Sequence, residues 1–120
     1  MPHLVVEYSQ NLASFDAPAC LATANAALAA SGHFEEADIK SRAYRVATFR
    51  VGSEPVERAF VAARLSILSG RSLEAKQDLS QRVLRALQQH IPAGTSPDTQ
   101  VSVEITDIDR ASYAKAVVGT

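Results

Sequence analysis

One cysteine, a net charge of −1 and no long apolar run mark this 120-residue chain, and each scarcity excludes something. Cys20 alone cannot build an internal disulfide framework or a cysteine-rich zinc site. The balanced charge offers no basic surface large enough for nucleic acid. No apolar run reaches the length of a membrane span. Residues 2–8 are too short and too polar for the apolar core of a signal peptide, so the expected location is cytoplasmic. The three histidines, His3, His33 and His90, lack metal-ligand spacing. A glycine-rich phosphate loop, a nucleophile elbow and a metal cluster are all missing. Low-complexity tracts are missing too, and the longest loop-like stretch is "PAGTSPD", residues 92–98.

What is present is globular in composition: 47% hydrophobic and 21% charged residues. The length suits one domain, residues 1–120, around one core. "PHLVVEYS" reads as a strand from Pro2 to Tyr8, with Pro2 at the first position, where its missing donor costs little. Asp16 is a natural N-cap, Pro18 lies in the first turn and Gly32 is a stop, which frames an alanine-rich helix over 17–31. "DIKSRAYRVATFRV" alternates along residues 38–51 as a long strand with two usable faces. "GSEP" is a turn, and "ERAFVAARLSIL", residues 57–68, is a third strand paired antiparallel to the second. The clearest helix follows: Ser72 caps it, Leu79, Val83, Leu84, Leu87 and Ile91 form one stripe, and Pro92 ends it. "QVSVEITDI", residues 100–108, is a last alternating strand, and the tail after it has no clear pattern.

The order is strand, helix, strand, twice over. The expected fold is α/β: tandem β-α-β units forming a four-stranded mixed sheet with two helices on one face. Strands one, three and four carry apolar residues on both sides, so the uncovered sheet face is expected to be apolar. Such a face implies a homo-oligomer.

Three places could carry chemistry. Met1 is removable when a small residue follows, which would leave Pro2 as a secondary amine at a strand start. Burial or a neighbouring cation lowers an amine's pKa from about 7.7–8.0, making a general base near neutral pH. Many chains also begin Met-Pro without chemical consequence. Arg71, in "SGRS", lies between the third strand and the second helix, where free amides and a guanidinium suit a carboxylate. A plain surface-loop arginine fits that position as well. Lys40 and Arg42, two apart on a strand, point the same way; their repulsion is explained by an anion bound between them or relieved on a solvated edge. Cys20 reads as a small core residue, and Glu35, Glu36 and Asp38 as a solvated acidic loop. Tyr8, Tyr44 and Tyr113 are candidates for a pocket wall or for packing.

"MPHLVVEYSQN", "ALAASGHF", "IKSRAYRV", "AFVAARLSILSGRSLEAKQDLSQRVL" and "VSVEITDID" together resemble the 5-carboxymethyl-2-hydroxymuconate isomerase family of the tautomerase superfamily. The resemblance spans nearly the whole chain. It implies a trimer, an N-terminal proline as catalytic base, and no metal or organic cofactor. It also implies conversion of a 2-hydroxymuconate dienol into its 2-oxo-3-ene form during breakdown of homoprotocatechuate and related aromatic acids. The family's proline maps onto Pro2 and its second-helix arginine onto Arg71. A further family arginine falls at Lys40, where this chain departs; Arg42 is placed to share that role. The substrate expected is a small carboxylate. Two other readings stay open: hydration-dehalogenation or decarboxylation of a small unsaturated acid, and a non-catalytic oligomeric binding module.

Overall fold

A computed structural model describes residues 1–119. Strand β1 spans His3–Ser9, and its burial alternates: Leu4 and Val6 are fully buried, while Val5 and Glu7 turn to the other side. Helix α1, Ala17–Ala30, starts as its residues demand. The Asp16 side chain accepts the Ala19 amide at 3.1 Å, and Pro18 occupies the first turn, where no amide is needed. Cys20, Ala24 and Leu28 recur every four residues and form its buried line. Gly32 follows with φ +80°, the left-handed conformation that glycine adopts most cheaply beyond a helix end.

A single 3₁₀ turn, Glu36–Asp38, leads into strand β2, Lys40–Val46. Strand β3 is Ala59–Leu68, helix α2 is Leu73–Gln88 and strand β4 is Thr99–Ile108. Ser72 caps α2 by accepting the Ala75 amide at 3.1 Å. The sheet order is β2-β1-β3-β4. β1 runs parallel to β2, β3 parallel to β4, and the central pair β1–β3 is antiparallel. Leu4, Val6, Val61, Leu65 and Ile67 from the sheet share one buried cluster with Cys20, Leu28, Leu79, Val83 and Leu87 from the helices. Both helices therefore cover the same face, and the four-stranded mixed sheet expected from the sequence is the observed architecture.

Four details differ from the sequence reading. β2 does not pair with β3; β1 lies between them. β1 brings fully buried Leu4 and Val6 to the core, whereas β2 brings only Ser41, Ala43 and Arg45 to its matching positions, so β2 is fit for an edge. β2 also stops at Val46 rather than continuing to residue 51. Its partner β1 ends at Ser9, and the last bond between them is Gln10 N–H to the Val46 carbonyl at 2.9 Å. Beyond it the chain loops, held by Arg58 donating to the Val51 carbonyl at 3.3 Å. Third, α2 ends at Gln88, and Ile91 lies in a tighter turn whose amide donates to the Gln88 carbonyl at 3.1 Å.

The fourth difference bears on assembly. The uncovered sheet face is mostly polar, not apolar. It carries His3, Val5 and Glu7 from β1, Arg42 and Tyr44 from β2, Arg64 and Ser66 from β3, and Ser102, Glu104 and Thr106 from β4. Arg64 pairs with Glu104 at 2.8 Å, and the hydroxyls of Ser66 and Thr106 meet at 2.7 Å. Short side chains and cross-strand polar pairs satisfy one another here, so the face needs no apolar cover.

Candidate active site

The topology gathers the predicted residues at one end of the sheet. β1 and β2 both start there, and β3 and β4 both finish there. Pro2 is fully buried at the entry to β1, on the helix-covered side shared with Leu4 and Val6. Its carbonyl accepts the Lys40 amide at 3.1 Å. Residue 40 lies across from His3, and Arg42 lies across from Val5 one step further along. Lys40 is half-buried, and its ammonium donates to the Asp38 carbonyl. Arg42 is exposed on the open face. Lys40 and Pro2 are thus joined directly, whereas Arg42 stands further along the sheet.

The terminal amine, that of Met1, lies 3.6 Å from an Asp38 oxygen. Burial lowers its pKa from the ordinary 8.0; Asp38 works against that shift, while Lys40 and Lys115 reinforce it. His3 is lowered from 6.5, first by burial and then by Lys40, Arg42 and the amine itself. This corner of the molecule favours neutral bases.

Arg71 reaches the same end from the connection between β3 and α2. It does not project freely. One terminal nitrogen donates to the His33 carbonyl at 3.0 Å, and the other meets His33 Nδ1 at 3.3 Å. The guanidinium carbon lies 4.9 Å from the Phe34 ring centroid, a cation–π contact. Its Nε–H is buried without a hydrogen-bond partner. A buried charged donor left open in this way is a ready place for an acceptor from outside the chain.

Two contributors were missed by the sequence reading, and a third, Tyr113, was given only a pocket-wall or packing role. Asp38 was taken as solvated but pairs with the amine and with Lys115. Tyr113 folds back to place its hydroxyl 3.2 Å from His3 Nε2. Lys115 comes from the tail, whose lack of periodicity gave no sign of docking. Cys20 is buried as expected, and burial pushes its thiol up to about 11. Tyr8 packs on Phe15, with ring centroids 4.8 Å apart. A cavity of about 340 Å³ opens at the opposite end of the sheet, between Leu12, Phe15, His90 and Ile91, away from these groups. Among the described residues no cluster of histidine, cysteine and acidic side chains is placed to hold a metal ion. No helix there is long and apolar enough to cross a membrane.

Known proteins share this fold. A solved 5-carboxymethyl-2-hydroxymuconate isomerase from Deinococcus radiodurans R1 superposes with a TM-score of 0.85 at 34% identity, covering 96% of this chain and 88% of that one. A solved fused 4-OT described as a symmetric trimer shares the fold, with a TM-score of 0.70 at 22% identity over 95% of this chain and 91% of that one. The fold is that of a tautomerase-type isomerase. Across residues 2–118 the chain matches the family model described as 5-carboxymethyl-2-hydroxymuconate isomerase. The Escherichia coli 5-carboxymethyl-2-hydroxymuconate Delta-isomerase is 36% identical over 94 residues, covering 78% of this chain and 75% of that protein. The chain belongs to the 5-carboxymethyl-2-hydroxymuconate isomerase family.

Proposed function

We propose that this isomerase converts 5-carboxymethyl-2-hydroxymuconate, or a similar 2-hydroxydienoate, into its 2-oxo-3-ene isomer, with Pro2 as the proton-transfer base after loss of Met1. The observation that carries the reading is the placement of Pro2: buried at the mouth of β1 and bonded through its carbonyl to Lys40.

The reaction needs a group that takes the 2-hydroxyl proton and returns a proton to carbon five. As the O–H bond breaks, its electron pair forms the C2 carbonyl. The C2–C3 double bond moves to C3–C4, and the electrons of C4–C5 take the proton at C5. A neutral amine does both transfers without a second base. Burial and the positive charge of Lys40 lower the Met1 amine in this structure, and the same two influences favour a neutral Pro2 amine once Met1 is lost. Lys40 also faces the negative charge that builds on the dienolate.

The substrate's carboxylates need cations, and Arg71, Lys40 and Arg42 supply them. Arg71 is the best prepared. Phe34 and His33 hold its guanidinium, and its Nε–H waits for an oxygen. Lys40 binds as a point charge rather than as a fork, with Arg42 beside it. We also read the protein as a cytoplasmic homotrimer; the relatives' fold supports three copies, and the polar open face directs the contact toward strand edges and polar pairs rather than a buried apolar face.

The test is direct. The mass of the purified chain should lack Met1, and ultraviolet absorbance should follow loss of the dienol and gain of the enone across a panel of 2-hydroxydienoates. A retained Met1 in fully active protein would remove Pro2 as the base. Light scattering at micromolar concentration should give three times the chain mass, and a fully active monomer would overturn the trimer.

A further inference from the structure

The tail beyond β4 does more than end the chain. Arg110 fixes its first turn, its amide donating to Ser69 Oγ and its Nε–H to the Ser69 carbonyl, both at 3.1 Å. From there Tyr113 reaches His3, and Lys115 reaches the Asp38 carboxylate. Asp38 is therefore shared: one oxygen faces Lys115 and the other faces the terminal amine.

That sharing poses an electrostatic problem. A lone carboxylate beside the amine would stabilise its protonated form and spoil it as a base. We infer that Lys115 is the counter-charge of Asp38 and thereby keeps the catalytic amine neutral, with Tyr113 pinning the tail in place through His3. Asp38 and Lys115 are positioning residues that act through the charge they place beside the amine and take no proton from the substrate. The inference rests on the assignment of Pro2 as the base.

Loss of Met1 removes the amine that Asp38 contacts at 3.6 Å and moves the terminus to Pro2. Extending the parallel register back from the His3–Lys40 pair sets Pro2 across from Ile39 and Met1 across from Asp38. The mature amine therefore sits one residue further in, beside the same Asp38–Lys40 segment. The charged groups around the Met1 amine are Asp38 and Lys40 from the α1–β2 connection and Lys115 from the tail; His3 beside it is faced by Lys40, Arg42 and Tyr113. Arg71 stands at the same end, turned to His33. Asp38 is the acidic side chain among the groups that act on the Met1 amine, so cancelling its charge is the role the inference gives to Lys115.

The experiment is the pH profile of kcat/KM for Lys115→Met, Tyr113→Phe, Asp38→Asn and the Asp38→Asn/Lys115→Met double variant, with Pro2→Ala alongside. Lys115→Met should raise the apparent pKa of the acid limb by about one unit, the low end of what an uncompensated carboxylate at about 4–6 Å does. Tyr113→Phe should raise it less. In the Asp38→Asn background the Lys115 substitution should lose most of its effect, because nothing remains to be compensated. An unmoved acid limb in Lys115→Met, or an equal shift with and without Asp38, would overturn the inference while leaving Pro2 as base. A wild-type profile for Pro2→Ala would instead overturn the base assignment, and this inference with it.

Discussion

The Lys40 amide donates to the Pro2 carbonyl at 3.1 Å, so the first residue of the family motif and the first residue of β2 are one structural unit. The bond fixes the start of β1 against β2 and holds a cation-bearing strand beside the amine. On the proposed assignment, the base and the cation beside it are held by the same backbone pairing.

The amine's protonation should govern the rate. In the chain that keeps Met1, the Met1 amine is lowered from 8.0 by burial, with Lys40 and Lys115 adding to the shift against Asp38. The neutral form of the Pro2 amine is the proposed base, so kcat/KM should rise with pH through that amine's pKa and level off above it. Pro2→Ala leaves a primary amine with different basicity and geometry. Its kcat should drop by at least about tenfold, within the range general base catalysis contributes, and its acid limb should move. Steady-state rates from pH 5 to about 9 check both.

His3 should make folding stability pH-dependent. Burial first, then Lys40, Arg42 and the amine, hold its ring below 6.5. The unfolded chain then binds more protons than the folded one between the lowered value and 6.5, so stability falls as pH drops through that window. Asp38 is shifted in the same direction, lowered from 3.8 chiefly by its hydrogen bond to Lys115, so its stabilisation too is lost as pH falls, but only at more acidic pH. The melting temperature of His3→Gln should fall less steeply than wild type between about pH 7 and pH 5. Parallel curves would show that the histidine does not titrate across folding.

A buried hydroxyl clamps the other end of β1. Ser9 is fully buried; its oxygen accepts the Phe60 amide at 3.0 Å and its hydroxyl lies 3.4 Å from the Phe60 carbonyl. Ser9→Ala leaves that amide without its partner and should cost about 1–3 kcal/mol. Urea unfolding should show a lower midpoint with an unchanged slope, and activity per folded molecule should hold, because the clamp is remote from Pro2.

Much of this was legible in the sequence because it is local. Asp16, Pro18 and Ser72 act within one turn of where they stand, and the Leu79–Leu87 stripe needs only the helical period. Strand order is not local. That β1 would separate β2 from β3 depends on which strand best fills the centre of the sheet, a comparison among all four. The polarity of the open face escaped for a related reason. Val5 and Ala62 read as apolar, but their neighbours there are Glu7, Arg64 and Ser102, which only the register reveals. At the site, Pro2, Lys40, Arg42 and Arg71 stood out by type and motif. Asp38 and Lys115 did not, and Tyr113 was read only as a pocket-wall or packing candidate without its partner, since these contacts join residues 110 apart in one case and 77 in the other.

The cations near Pro2 should separate by geometry. Lys40 carries a compact charge without a planar fork, so Lys40→Ala should raise KM less than loss of Arg71 does, and Lys40→Arg should equal or better the wild type. Arg42 is exposed on the open face; Arg42→Ala should have the smallest effect in a single copy's own site. KM values for the three variants, measured with one dicarboxylate substrate, rank them. A larger effect at Arg42 than at Arg71 would move the carboxylate onto the open face.

Arg71 is where binding and folding can be told apart. His33 and Phe34 already hold its terminal nitrogens and its plane, yet Nε–H is buried and unpartnered. A substrate carboxylate that reaches it completes a charge-assisted contact worth about 1.5–3 kcal/mol. Arg71→Ala removes both the anchor and the binder, so KM should rise by roughly ten- to a hundredfold and the melting temperature should also fall. Arg71→Lys keeps a positive charge but lacks the Nε–H and the planar fork, so it should recover part of the charge effect and little of the directional one. If Arg71 also meets charge that grows in the transition state, kcat falls along with the rise in KM. A methyl ester at the contacted carboxylate should lose most of its sensitivity to either substitution. Kinetics with acid and ester substrates, set beside thermal unfolding of the same variants, decide the matter. A folded Arg71→Ala protein with wild-type KM and kcat would show that the guanidinium serves only to tie the β3–α2 connection to the end of α1.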